Sequence, residues 1–312
     1  MDASPEEMIL LALLGLWVAA PVTPPYEQTQ VHMGVPVRIV LYLDDRASAR
    51  DAAQAAFQRV SALDRMMSDY RPDSELRALE SAGGNWTRVS PELFDVLTLS
   101  VDVARATDGA FDPTIAPLVA LWREARRTRK LPDPAMLATA RARVGWRQVA
   151  LDPERRAVRM PEGASLDLGG IAKGYILQEA TRALASRGVR RALIEAGGDI
   201  VVRDPPPGRA GWRIDVPSAD AAFGERASRL ANAAIATSGP TPQFVEIDGV
   251  RYSHVIDPRT GLGVTSAWVA RVIAENAATA DALATAMTVL GPERLPEMRA
   301  RFRNVTISLA RR

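Results

Sequence analysis

Ser165–Tyr175 reads SLDLGGIAKGY: a strand-like run, a pair of glycines, and a helix-like run opening near Ile171. Glycines let backbone N–H groups turn toward an anion, and a helix start adds a positive end. The spacing is neither G-x-x-x-x-G-K-[ST] nor G-x-G-x-x-G. A doubly wound parallel sheet built on either motif therefore loses its usual signature here. An anion-binding turn and an ordinary strand-to-helix connection both fit the stretch.

Working outward, the pattern is of helices and mixed strands. Val35–Leu43 alternates and is rich in β-branched residues, a strand signal, and Ala47–Met67 repeats apolar residues at helical spacing. Ser74 is placed to cap a short helix, and Ser90 with Pro91 reads as N-cap and N1 of another running to about Ala106. Trp122–Arg147 is arginine-rich and helical, with REARRTRK as its densest charge run. No nucleic-acid-binding motif accompanies that run, so a solvated helix face is the reading it supports.

A helix follows the glycine pair as far as Arg187, and RALIEAGGDIVVRD reads as strand, tight turn and strand. Downstream, WRIDV, AIATSG, QFVEIDGVRYSHVID and VTSAWVARVIA are strand-like, with Asp248 and Gly249 in a hairpin turn. NAATADALATAMTVLG is an alanine-rich helix that stops at Gly291. Without regular βαβ alternation the class is α+β, with mixed or antiparallel sheets and flanking helices.

The 312 residues are 47% hydrophobic and carry a formal net charge of only +2, so composition makes no case for a polyanionic partner. No nucleic acid is expected. Of the 39 basic residues only Lys130 and Lys173 are lysines, which singles out the compact ammonium within the glycine stretch. There is no cysteine, and His32 and His254 are the two histidines. Thiol nucleophiles, disulfides and Cys/His zinc clusters are excluded, and a metal would sit among oxygens, which favours magnesium or calcium.

Met8–Ala20 is an apolar run ahead of a proline-rich break. As a helix it would be about 20 Å long against a bilayer core of about 30 Å, too short to span. A signal peptide or N-terminal hydrophobic segment over residues 1–25 is expected, although Asp2, Glu6 and Glu7 are atypical ahead of an h-region. That gives an exported or periplasmic protein, associated with the inner membrane only through this segment where it is retained, and without cysteine not a Cys-anchored lipoprotein.

Three stretches carry chemistry. Asp281 and Thr285 in TADALAT are four residues apart, so a carboxylate and a hydroxyl share one helix face. Both are hard donors, and magnesium takes one or two carboxylates with waters and phosphate oxygens; interaction with the helix dipole is the simpler reading of Asp281. TDGAFDPTIAPL strings Asp108, Phe111, Asp112 and Thr114 along a rigid loop that could stack a planar ring or close a structural turn. YSHVIDPRTG puts His254 in a strand, with Asp257 and Arg259 in the turn after it, where the imidazole could carry a proton or serve structure.

In order along the chain, MGVPVRI, MSDYRPDSELRAL, TDGAFDPTIAPL, DLGGIAKGY, EAGGDI, ATSGP, YSHVIDPRTG and ADALATAMTVLG closely resemble the ApbE family of FAD:protein FMN transferases, an older name being thiamine-biosynthesis lipoproteins. The resemblance runs from about Met33 to Leu290. It implies a T-fold-related architecture, one domain over 26–312 with a helical insertion at about 117–147. It implies FAD held by Met33, Tyr70, Ala110, Phe111, Asp112, Asp167, Gly169, Gly170, Lys173 and His254. It also implies Mg2+ held by Asp281, Thr285 and the carbonyl of Ala172.

The implied reaction moves FMN from FAD to a Thr or Ser hydroxyl of an acceptor redox protein and releases AMP, with Lys173 countering phosphate charge and His254 or Asp257 taking the hydroxyl proton. An FAD pyrophosphatase and a non-catalytic FAD-binding protein share the same expected ligand. Pro240, after the TSG run where many relatives carry an acidic or amide residue, is a departure from the family pattern.

Overall fold

The computed structural model describes residues 24–215, 223, 227–239 and 244–311. The N-terminal apolar segment through residue 23 and Pro240 lie outside the described residues. Among those described, no helix is long and apolar enough to cross a membrane.

Strands β1 (Tyr26–His32) and β2 (Val35–Tyr42) lead into helices α1 (Arg46–Met67) and α2 (Glu75–Glu80). After β3 (Thr87–Arg88) come α3 (Pro91–Ala106), α4 (Ala116–Thr128), α5 (Pro134–Arg141) and the short strands β4 (Ala150–Asp152) and β5 (Ala157–Arg159). Helix α6 (Ala172–Ala185) follows the glycine pair and feeds β6 (Arg191–Ala196), β7 (Asp199–Val202), β8 (Trp212–Asp215), β9 (Ala227–Leu230) and β10 (Ala233–Ser238). The chain ends through β11 (Val245–Ile247), β12 (Val250–Tyr252), β13 (Trp268–Ala274), α7 (Ala277–Leu290), α8 (Leu295–Arg301) and β14 (Thr306–Arg311).

Seven strands form one sheet in the order β1-β2-β6-β7-β10-β13-β14. Every neighbouring pair is antiparallel. The α+β class read from the sequence is the class of the structure. Period-2 alternation assigns the two faces: Val37, Ile39 and Leu41 of β2 face the main core, whereas Val40 joins Leu193, Val202 and Ile235 on the opposite face under Trp212 and Ile214 of β8.

The main core fills the space between the sheet and helices α1, α3, α6 and α7. Helix α1 buries Ala49, Ala52, Ala53, Ala56, Phe57, Val60 and Leu63 along one stripe, and its N-cap Asp45 accepts from the Ser48 amide at 2.8 Å. Helix α7 is buried nearly all round, and the face of β10 and β13 beside it is mostly alanine: Ala234, Ala236, Ala270 and Ala274, with Val272 between the last two. Helix and sheet therefore approach closely, which aims the polar residues of α7 at one place. Truncating Leu283, fully buried in this layer, costs about 2 to 5 kcal/mol by the usual cavity rule.

Helices α4 and α5 and the β11–β12 hairpin gather a second, smaller core around Leu118, Trp122, Ala125, Val245, Ile247 and Ile256. The hairpin turns at Asp248 and Gly249, both at positive φ. The Trp122 indole donates to the Ser253 carbonyl at 3.1 Å, and its ring meets Tyr252 edge-on at 5.4 Å. That pair of contacts ties the residue before His254 to α4.

Candidate active site

The start of α6, the middle of α7, the loop before α4 and the loop after β12 converge on a cavity of about 670 Å3, within the usual range for small-molecule sites. Its floor is the glycine pair. Asp167 accepts from the Gly169 amide at 2.8 Å, and its own amide donates to the Pro113 carbonyl at 2.8 Å, locking the turn to the loop before α4. At Gly170 a Cβ would stand 3.2 Å from both the Phe111 ring and Thr285 Oγ1. A side chain here would crowd the ring and the α7 hydroxyl, both of which pack closely on the turn.

Helix α6 begins at Ala172 with no side-chain cap from Ile171. Its Gly174 amide instead donates across to Asp281 Oδ2 at 3.0 Å, so α7 caps α6 in trans. The contact requires glycine, because a Cβ at position 174 would sit 2.2 Å from the Ala277 carbonyl oxygen. Asp281 lies beyond the first turn of α7, whose N-cap Asn276 accepts from the Thr279 amide. Reading Asp281 as a dipole partner of its own helix is thus superseded by a contact to a neighbouring one.

Lys173 lies between two carboxylates: its ammonium pairs with Asp199 and reaches Asp281 Oδ1 at 3.5 Å. Burial opposes its charge, but Asp281 and Asp199 outweigh that and hold it firmly protonated. Burial, reinforced by Asp281, pushes Asp199 up to about 7 against the pull of Lys173. Asp199 belongs to the EAGGDI segment, and sequence reasoning gives it no role of its own. The signal available is an acid in the strand after a double-glycine turn, aimed at the helical face.

His254 lies in a bend after β12, not in the strand expected for it, because β12 closes at Tyr252 and Ser253 turns to bond Val264. Its Nδ1 is buried without a partner. Burial first, then the charges of Arg126 and Lys173, lowers its pKa. The neutral ring is favoured, which is the form able to accept a proton.

Ala110, Phe111, Asp112, Asp167, Gly169, Gly170, Lys173, His254, Asp281 and Thr285 all line the cavity. Asp112 is nevertheless taken by its own loop: Oδ1 accepts from Thr114 N and Oγ1, and Oδ2 from the Trp146 amide. Its carboxylate shapes the wall, leaving its backbone and neighbours to touch a ligand.

Four other residues stand apart from the lining. Met33 occupies the β1–β2 turn at φ 52 and donates its amide to Asp64. Tyr70 is exposed at the rim beneath Arg123, whose guanidinium lies 4.5 Å from the ring centre. Asp257 is engaged by Arg259, which donates through Nη2 at 2.8 Å and Nε at 2.9 Å. Ala172 is the first residue of α6. Sequence reasoning also misses Arg123, Arg126, Thr237 and Ser238, which face the cavity from α4 and the end of β10.

The donor set suits a hard divalent cation. Asp281 and Thr285 present a carboxylate and a hydroxyl beside the glycine turn, and two buried carboxylates face a single lysine. Among the described residues no three His, Cys, Asp or Glu gather as a metal cluster, so hydroxyl, main-chain, water and substrate oxygens would complete the shell, as magnesium commonly arranges.

A helix N-terminus, a lysine and hard oxygen donors around one cavity define the class: an α+β protein equipped for a phosphorylated ligand. The chain belongs to the ApbE family, whose sequence model matches residues 33–308. It is 32% identical to the FAD:protein FMN transferase of Vibrio cholerae over 91% of this chain and 88% of that one. It is 31% identical to the protein of the same name from Treponema pallidum, over 86% and 80% of the two chains. Among solved structures it is similar to the ApbE protein of Thermotoga maritima (TM-score 0.81, 29% identity, 92% and 96% covered). The apo flavinyl transferase ApbE of Pseudomonas stutzeri is comparable (TM-score 0.81, 25% identity, 92% and 91% covered).

Proposed function

We propose that this chain is a magnesium-dependent FAD:protein FMN transferase that moves FMN from FAD to a threonine or serine hydroxyl of an acceptor redox protein. One observation carries the reading: Asp281 and Thr285 of α7 face the Gly169–Gly170 turn and Lys173 across a single cavity. The FAD pyrophosphate belongs at the start of α6, where Lys173 and the turn oppose its charge.

In the reaction the acceptor oxygen attacks the FMN-side phosphorus, the bond from that phosphorus to the bridging oxygen breaks, and AMP leaves with the bridging oxygen. A magnesium ion held by Asp281, Thr285 and the Ala172 carbonyl would act as a Lewis acid on the phosphate oxygens. Lys173, held between Asp199 and Asp281 at the start of α6, is fixed before substrate arrives, the arrangement from which electrostatic catalysis gains most.

Of the two proton acceptors left open by the sequence, His254 is better supported than Asp257. His254 faces the cavity and favours its neutral form, whereas Asp257 is held by Arg259. The acid limb of the pH-rate profile is therefore expected below the ordinary histidine value, and it should vanish in His254→Ala. The N-terminal apolar run supports an exported or periplasmic setting, with a membrane-bound or exported redox protein as acceptor.

The test is to incubate the full chain with FAD, Mg2+ and a candidate acceptor, and follow flavin fluorescence on the acceptor in a denaturing gel together with released AMP. Labelled acceptor with matching AMP supports the transferase. FMN and AMP without label would make the protein a pyrophosphatase, and bound FAD with neither product would make it a carrier.

A further inference from the structure

The flavin donor is accommodated by the cavity, but the second substrate is a protein, and its hydroxyl must cross the rim. The rim on the His254 side is made by α4. Arg123 and Arg126 line the reaction cavity, and both also line an open cleft of about 880 Å3 with Arg127 and Arg129. The opposite wall is the β11–β12 hairpin, through Phe244, Val245, Glu246, Asp248 and Gly249.

The cleft is basic. Arg123 is paired with Asp69 and Arg127 with Glu124, while Arg126 and Arg129 have no carboxylate partner among the described residues. Arg251 adds a further cation, 3.7 Å over the Phe244 ring. A helix dipole accounts for cations in a last turn. It does not account for Arg251, which stands on the facing hairpin and not on α4. Nor do the FAD phosphates of the reading above need this surface, since Lys173 and the glycine turn line the reaction cavity and not the cleft.

We propose that the cleft between α4 and the β11–β12 hairpin docks an acidic segment of the acceptor protein and leads its hydroxyl to His254. The proposal rests on the acceptor being a protein, as in the reading above. Arginine favours carboxylates through paired N–H donors, and exposed charge of this kind tunes partner choice and encounter rate. The arginine-rich face read from the sequence as merely solvated thus gains a partner, and the partner is a polypeptide.

The test needs no turnover. A short fluorescent peptide with one threonine between aspartates is titrated against the FAD-loaded full chain by anisotropy, beside the same peptide with lysines in place of the aspartates. The acidic peptide should bind about tenfold tighter or more at low salt and weaken steeply as salt rises. Arg127→Glu with Arg129→Glu, and separately Arg251→Glu, should remove that preference while FAD affinity and melting temperature hold.

Equal binding of the two peptides would overturn the proposal. So would a loss of FAD affinity in those variants, or an oligonucleotide binding as tightly as the acidic peptide. Failure of FMN transfer in the gel assay is a separate result, which strikes the transferase reading and leaves the peptide preference measurable.

Discussion

The contact between α6 and α7 and the rim between α4 and its hairpin both bring charge to one cavity, in opposite ways. At the first, Asp199 and Asp281 side chains are 5% and 8% exposed around Lys173. At the second, Arg123, Arg127 and Glu124 are 45%, 73% and 56% exposed. Buried charges interact strongly and are screened far less by salt, so removing one partner leaves another stranded. Exposed pairs contribute about 0 to 1 kcal/mol and fade with salt. Stability and chemistry are therefore bound together on the inner wall, whereas the rim can change its partner without disturbing the fold.

Gly174→Ala is the hardest blow to the inner wall. Its Cβ would meet the Ala277 carbonyl at 2.2 Å, and backbone on both sides leaves no side chain to yield. A loss of about 3 kcal/mol or more is expected in denaturant unfolding; an unchanged midpoint would mean that the helices separate freely and the contrast is false.

Asp281→Ala comes next. Turnover should fall on the order of a hundredfold or more, and calorimetric Mg2+ binding should disappear, with the fold retained at reduced stability. Undiminished turnover would remove Asp281 from the site.

A subtler probe is Asp199→Asn under chelator. Because burial and Asp281 raise the Asp199 pKa from 3.8 to about 7, the folded state holds this proton more tightly than the unfolded one. Its contribution is complete below about pH 4 and lost as pH rises through about 7, with a slope approaching about 1.4 kcal/mol per pH unit. The asparagine variant should flatten that decline, measured by denaturant melts across the range.

Smallest of all, Glu124→Gln at the rim should shift stability by no more than about 0.5 kcal/mol. A larger loss would show that the rim is bound into the fold as tightly as the interior.

What the sequence could disclose divides along the same line. Caps are local, so Ser74, Ser90 with Pro91, and Gly291 mark their helix ends correctly. The Asp248–Gly249 turn is equally plain. Strand β1 escapes a reading by hydrophobic pattern because it is an outer strand of polar residues with no fully buried position, and β9 and β14 go undetected with it. Strand order is hidden because β2 pairs with β6, from Arg191 onward, across the intervening helices and the glycine turn.

The site shows the same limit. Asp281 and Thr285 are legible from their spacing, but Asp199 acquires meaning only from Lys173, 26 positions away, which in turn reaches Asp281 108 positions further along. His254 departs from its expected strand because Ser253 leaves the ladder to serve Trp122 and Val264, two partners that no local pattern announces.

The outer strands β1 and β14 carry one more consequence. Six inter-strand steps of about 4.8 Å separate them, and alternation makes the two run in the same direction. Tyr26 and Arg311 thus stand at opposite corners, roughly 35 Å apart. A circular permutant joining those positions would need a linker of at least about eleven extended residues laid across the sheet, so insertion of a reporter is better directed to a hairpin tip than to fused ends.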